Sequence, residues 1–351
     1  MSFRNKNSNK YLCIFAILVF FTSQFFRVTQ ITYAETKEWP SDIVLAVLPD
    51  TQLYSKYSPE IFESQTSWIA ENQASENIDF VLHVGDIVNE AYNISQWESA
   101  SNVMEILEEA KINYAIVTGN HDVDYSRIGV EDVAYYDDMR NELENYPKYF
   151  PVERFASMST FGGSSPNGYN TYHFIAAEDY QIMVLALDWL PSDETLDWAQ
   201  DILKQYSKTP TIILKHDFIR PRKNDHSGEV QISGEETQKQ WEIFKEYNQI
   251  FMTLNGHFTG SDYGTLKNAY GNDVFMTSVD FQGKVRGGNG WMRLMTLDIE
   301  NSRINGTTFS PYVMSLPLEE REAEDLEYLE DEANQFSFPF DLKTRFEQIS
   351  N

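Results

Sequence analysis

Cysteine is almost missing from this chain of 351 residues; the single one is Cys13, within an apolar run near the N-terminus. No disulfide framework is open to it, so the fold depends on its core and on any metal it binds. Positive charge is scarce as well. Lys and Arg number 27 against 54 Asp and Glu, a formal charge of −27. Such a balance argues against a nucleic-acid duplex or an anionic membrane surface as a broad partner. Internal repeats and low-complexity linkers are also lacking, which favours one domain. What is plentiful is apolar and aromatic side chains, 42% and 14% of the chain. That is enough for a sizeable core, and it excludes global disorder.

The N-terminus differs from the rest. "MSFRNKNSNK" carries Arg4, Lys6 and Lys10 without an acid, the apolar "YLCIFAILVFFTSQFF" follows, and Thr32-Tyr33-Ala34 places small residues for a peptidase. This layout predicts a secretory signal over residues 1–34, cleaved after Ala34, with an uncleaved membrane anchor as the alternative. Cys13 lies within the run and not at its end, so no lipoprotein attachment is read. The expected location is outside the cytoplasm, secreted or in the cell envelope, as a monomer.

Beyond residue 40, strands and helices alternate. Strands are expected at 43–48, 78–84 and 113–118, with helices at 58–73 and 94–110 between them, a βαβαβ run long enough for parallel pairing. Residues 124–170 read as an irregular insertion. Strands return at 172–177, 181–187, 211–216 and 250–255, with helices at 192–206 and 235–247. From 261 onward strands and Gly-rich turns take over. The stretch 318–335 is so acidic that a solvated helix or flexible arm is expected, and 336–342 is apolar enough to dock on the core. The domain proper is placed at 41–315 and an acidic extension at 316–351.

Polar residues gather where these strands end. Asp50 follows "IVLAVL", Gly85-Asp86 follows "IDFVLHV", Gly119-Asn120-His121-Asp122 follows "NYAIVT", His216 ends "TIILKH", and Gly256-His257 ends "IFMTLN". In open α/β sheets that edge is where ligands bind. Two carboxylates, an amide and two imidazoles meeting there suit a borderline divalent metal.

In this ordered set the chain resembles the calcineurin-like metallophosphoesterases, whose pattern runs D-x-H, G-D, G-N-H-D/E, a lone His, and G-H-x-H. The resemblance implies a four-layer α/β/β/α sandwich with two mixed sheets and a centre of two divalent ions, Mn, Fe or Zn. Asp86 would bridge the ions. Asn120, His216 and His257 would complete one site, and Asp50 with position 52 the other. It further implies hydrolysis of a small phosphomonoester or phosphodiester by a metal-bound hydroxide, with His121 assisting the leaving oxygen and Asp122 orienting His121. Two positions depart from the pattern. Gln52 replaces a His and Thr259 replaces the last His, both in the same ion site. That site is expected to be weaker and to prefer harder ions. The P-D-T-Q start reads as the trait of a bacterial subgroup.

Plainer readings stand beside these. Outside the set, Asp50 and Asp86 would be ordinary turn or cap residues. His83 and His173 read as core histidines, His226 as exposed, and Asp188 as structural. Lys215, Arg220, Arg222 and Lys223 form the one dense basic patch beyond the N-terminus, either a solvated loop or a contact for the substrate's anionic group. Trp291 is a buried indole or part of a pocket rim. Tyr54, Tyr92 and Tyr125 are candidates for pocket walls. An exported metal-containing binding protein without turnover is the alternative function; an envelope structural or adhesion domain is the more distant one.

Overall fold

The computed structural model describes residues 42–350, apart from 125–135, 141–143, 178–179 and 223–228. The expectations for residues 1–34, Tyr125, Lys223 and His226 lie outside the described residues.

Strand alternation builds the layers. In β1 (Asp42–Leu48), Ile43, Leu45 and Val47 enter one apolar cluster, and Val44, Ala46 and Leu48 enter another. Side chains of a strand point alternately to its two faces, so a strand apolar on both must be covered on both. The same division occurs in β6 (Tyr180–Leu187) and β7 (Thr211–Lys215). Ile182, Val184, Ala186, Ile212 and Leu214 join the first cluster, while Met183, Leu185, Leu187 and Ile213 join a third. The first cluster is therefore the seam between two sheets.

One sheet has six strands in the order β15-β14-β13-β1-β2-β3, with β2 (Ile78–His83), β3 (Tyr114–Ile116), β13 (Met292–Asp298), β14 (Arg303–Phe309) and β15 (Gln335–Pro339). The other has seven, in the order β11-β12-β10-β7-β6-β5-β4. Its members include β4 (Phe161–Ser164), β5 (Thr171–Ala177), β10 (Ile250–Asn255), β11 (Gly260–Lys267) and β12 (Asp273–Asp280). Helices α2 (Pro59–Asn72) and α3 (Ile94–Glu109) cover the outer face of the first sheet through Phe62, Ile69, Trp97 and Met104. Helices α6 (Asp193–Gln205) and α7 (Glu235–Phe244) cover the second through Leu203 and Phe244. The result is a four-layer α/β/β/α sandwich.

Register brings the ligand-bearing ends together. β1, β2 and β3 are parallel, with Leu48 opposite His83 and His83 opposite Ile116. In the second sheet Leu187 lies opposite Lys215, Leu214 opposite Leu254, and Asn255 opposite Ser278, all in parallel pairs. The residues just past these positions leave the two sheets along aligned edges.

Two elements differ from expectation. A short helix, α1 (Gln52–Tyr57), begins at Gln52; at six residues it is too brief to show a helical period. The acidic stretch 318–335 is neither helix nor free arm. Like charges stacked along a helix repel, and the segment instead hangs on buried anchors. The Asn289 amide donates to the Glu324 carbonyl at 3.3 Å, the Trp291 indole to the Leu326 carbonyl at 2.9 Å, and buried Arg293 to the Ala333 carbonyl at 2.8 Å. Arg286 pairs with Asp325. β15 then closes the edge of the six-stranded sheet against β14.

Candidate metal centre

The strand-end residues of both sheets converge. One oxygen each of Asp50 and Asp86 and one nitrogen of His216 lie within 4.8 Å of one another, all three residues buried. Glycines make this approach possible. A Cβ at Gly119 would come within 2.1 Å of an Asp86 carboxylate oxygen, and one at Gly256 within 2.0 Å of an Asp50 oxygen. Asp86 and His257 themselves adopt left-handed backbone angles, φ 48° and 73°. For residues other than glycine that costs roughly 1–3 kcal/mol each, and it is the kind of strain found where side chains are aimed into a site.

One corner is rich in nitrogen. His216 Nδ1 lies 2.9 Å from the Val84 carbonyl. A carbonyl only accepts, so Nδ1 carries the hydrogen and Nε2 is the free ligand atom. Around Nε2 stand Asn120 Oδ1 at 3.2 Å, His257 Nδ1 at 3.2 Å and Asp86 Oδ1 at 3.3 Å. These are mostly lone pairs facing lone pairs. A proton on His216 satisfies one contact; a cation satisfies all of them. Ligand atoms bound at about 2.1 Å to one ion sit roughly 3.0–3.4 Å apart, which is the spacing of each of these three atoms from Nε2. The donor set therefore fits a borderline divalent ion. Burial alone would lower the His216 pKa, but the Asp86 charge and hydrogen bond outweigh it and raise it. Burial and then the His216 charge lower that of His257 to about 4. Burial likewise works against ionised Asp86, and the His216 charge overrides it, holding Asp86 below the usual carboxylate range.

The opposite corner offers only oxygen. Asp50 accepts the His257 backbone N–H at 3.0 Å. Burial first, then the charges of Asp280 and Asp86, push its pKa well up. Gln52 is buried, and its Oε1 has no hydrogen-bond partner; Asp86 Oδ2 is in the same condition. Buried acceptors left unpaired cost about 1–3 kcal/mol each, so these atoms too fit a cation. Asp280, at the end of β12, is fully buried, and its charge acts on Asp50. Sequence reading passed it over, although an acid ending an apolar strand was the cue that singled out Asp50.

His121 and Asp122 are placed differently from each other. The His121 ring is half-buried, with Nδ1 3.0 Å from the Asn89 carbonyl, and its backbone N–H donates to Asp86 Oδ1 at 3.0 Å. Among the described residues no hydrogen bond joins Asp122 to that ring, the role expected of it. Its carboxylate instead accepts the backbone N–H groups of Gly119 at 2.7 Å, Val88 at 2.9 Å and Ile87 at 3.1 Å, clamping the two loops that carry Asp86 and Asn120. Burial, then the Asp86 charge, raises its pKa to about 7.

The basic patch dissolves into separate roles. Lys215 is buried and donates to the Trp189 carbonyl at 2.9 Å. Arg222 grips Asp262 with Nε–Oδ2 at 2.7 Å. Arg220 is exposed and lies over the Phe258 ring at 4.4 Å. Together with Phe258, Lys284, Trp291, Glu324 and Asp331, Arg220 lines a cavity of about 800 Å³. Trp291 is thus both a buried indole and a pocket wall. Tyr54 is buried, its hydroxyl accepting the Gly290 N–H at 3.1 Å, and Tyr92 is exposed. His83 is buried 3.0 Å from the Thr51 hydroxyl. His173 is packed among Phe80, Phe155 and Phe161. Asp188 forms a buried pair with Arg140.

Known proteins resemble this chain. The calcineurin-like phosphoesterase family profile matches residues 27–258. Over 312 residues the chain is 30% identical to the uncharacterized protein YvnB of Bacillus subtilis (strain 168), covering 86% of this chain but only 22% of that protein. The chain thus spans less than a quarter of the length of that relative. Among solved structures, a purple acid phosphatase from yellow lupin (Lupinus luteus) seeds is similar at a TM-score of 0.52 and 14% identity, covering 87% of this chain and 55% of that one. A dimetal phosphatase from Danio rerio is similar at a TM-score of 0.49 and 10% identity, covering 77% and 96%. At such identities the lupin likeness speaks for the fold alone.

Proposed function

This chain belongs to the calcineurin-like phosphoesterase family of metal-dependent phosphoric ester hydrolases, and from that premise we propose that it cleaves a small phosphomonoester or phosphodiester outside the cytoplasm. The observation that carries the reading is the ring of lone pairs around His216 Nε2, from Asp86, Asn120 and His257. Asp86, Asn120, His216 and His257 hold one divalent ion in this reading, and Asp50, Gln52 and Asp86 hold the second. When bound, the ions supply Lewis acidity toward phosphoryl oxygens and lower the pKa of a water nucleophile.

The chain's own residues supply the rest. Asp122 keeps the Asp86 and Asn120 loops in register through its three amide contacts. His121 is fixed by the Asn89 carbonyl, so Nδ1 carries a hydrogen and Nε2 is the atom left to deliver a proton to the leaving oxygen. The neighbouring cavity receives the organic group of the ester. Arg220 and Lys284 face the phosphate's side of it in this reading, and Phe281 and Trp291 offer apolar surface. Export relies on the signal-like residues 1–34, and the chain acts as a monomer.

Purified protein incubated with generic phosphomonoesters and phosphodiesters, with Mn²⁺ or with chelator, tests this. The reading expects hydrolysis that needs metal. It also expects His121→Ala to lower kcat by about 10²–10⁴-fold with metal content unchanged, and more severely for alkyl than for nitrophenyl esters. Full metal loading without turnover on any ester would support the metal-containing binding protein instead.

A further inference from the structure

Three buried charged side chains take no part in the reaction as read, and they act together on the backbone of Trp189. The Asp188 carboxylate pairs with Arg140 and accepts the Thr118 hydroxyl. That hydroxyl in turn accepts the Trp189 backbone N–H at 3.2 Å. From the other side the Lys215 ammonium donates to the Trp189 carbonyl at 2.9 Å. Arg140, Asp188 and Lys215 are all buried. Buried charges persist only with close partners in good geometry, so the network fixes this residue in place. Thr118 stands just before Gly119-Asn120, and Lys215 just before His216. The strand ends that carry these two ligands thus also hold Trp189.

The indole so placed is half-buried and lies against both imidazoles of the nitrogen-rich corner, its ring centroid 5.0 Å from that of His257 and 5.5 Å from that of His216. The two imidazoles need this neighbour unequally. His216 has its ring set by the Val84 carbonyl at 2.9 Å. The His257 backbone is pinned, its N–H by Asp50 at 3.0 Å and its carbonyl by the Gln282 amide at 3.4 Å. Its ring is not pinned in that way. Among the described residues the one hydrogen-bond neighbour of the ring is His216 Nε2, the facing ligand atom. A metal-binding imidazole ordinarily donates its second ring nitrogen to a carbonyl or carboxylate, which sets its orientation. Packing must do that here. Phe258 also touches the His257 ring, at 4.3 Å, but it is the next residue in the chain and moves with it. Trp189 follows β6, two strands away in the sheet order, and is fixed independently. We propose that Trp189 is a positioning residue of this ion site, its indole holding the His257 ring in the ligating orientation that a hydrogen bond provides for His216. The proposal rests on the metal-centre reading above.

Mn²⁺ titration of the full chain by calorimetry, with thermal unfolding in chelator, tests the assignment on wild type, Trp189→Leu and Trp189→Phe. Trp189→Leu should weaken the tighter ion about tenfold and leave the weaker one within about twofold of wild type. Trp189→Phe keeps a ring against His257 and should hold the tighter ion to within about threefold of wild type. Should Trp189→Leu not fold, Trp189→Met, whose flexible side chain fills the same space, replaces it with the same expectation. Equal loss at both ions, or both affinities unchanged with or without a lower melting point in chelator, marks a merely structural role and overturns the proposal. So does a Trp189→Phe variant that binds no better than Trp189→Leu. Wild type that binds no Mn²⁺ at all overturns the metal reading itself, a separate result.

Discussion

The two halves of the centre hang on the same pair of sheets but are made of different atoms. The half around His216 gathers two imidazoles and an amide against one carboxylate, and the other three ligand atoms already lie 3.2–3.3 Å from His216 Nε2. The half around Asp50 has carboxylates and, in the two-ion reading, Gln52, whose Oε1 is unpaired as Asp86 Oδ2 is. In the first, a proton on His216 partly stands in for an ion. In the second, burial and the neighbouring carboxylates favour a proton on Asp50, which a cation would displace. A nitrogen corner can be organised before it binds; an all-oxygen corner is organised by what it binds. The first should hold its ion through purification, and the second should be filled from solution.

Removing the residue common to both halves breaks the comparison altogether. Asp86→Asn should abolish binding at both positions and lower hydrolysis by more than about a thousandfold, checked by metal analysis after dialysis and by steady-state rates.

Histidines without a cation provide the contrast to those around it. Burial pushes the pKa of His173 down to about 3 from 6.5. Above pH 6.5 the ring is neutral folded and unfolded; below it, the unfolded chain takes up a proton that the folded chain refuses. Stability is then lost progressively as pH falls toward the folded value. At pH 5 the loss is about 2 kcal/mol from this ring alone. Urea unfolding in chelator at pH 7 and pH 5 should show a loss smaller by that amount in His173→Gln than in wild type.

Gln52→His sharpens the difference between the halves by putting back an imidazole. It should raise Zn²⁺ affinity at the weaker position about tenfold and narrow the gap between the two sites in competitive titration. The smallest effect belongs to the cavity. Arg220→Ala should raise KM by about three- to tenfold with kcat nearly unchanged, since the side chain is exposed and held by one ring contact.

How much of this the sequence already displayed differs between the halves too. β1, β2, β7 and β10 announce themselves as short apolar runs, and the residue after each run points to a strand end. That logic reached Asp50, Asp86, His216 and His257. It stopped at Asp280 because no motif position lies there, though "TSVDF" has the same form as the run before Asp50. The acidic segment was misread for a physical reason. Its charge is visible in one dimension, whereas Arg286 and Arg293, which anchor it, come from a strand and a turn over 30 residues earlier. The part of Asp122 was also hidden. Its neighbour in sequence is His121, but its partners are the amides of Gly119, Ile87 and Val88. Sequence adjacency names candidates, and only packing says which neighbour a carboxylate serves.

The central claim is that side chains from both sheets surround two cations. Anomalous diffraction at the manganese edge from crystals soaked in Mn²⁺ tests it most directly. Two peaks bridged by Asp86, one bounded by Asn120, His216 and His257 and the other by Asp50 and Gln52, are the predicted result. No peak within bonding distance of Asp86, or a single peak that leaves Asp50 untouched at saturating Mn²⁺, would contradict it.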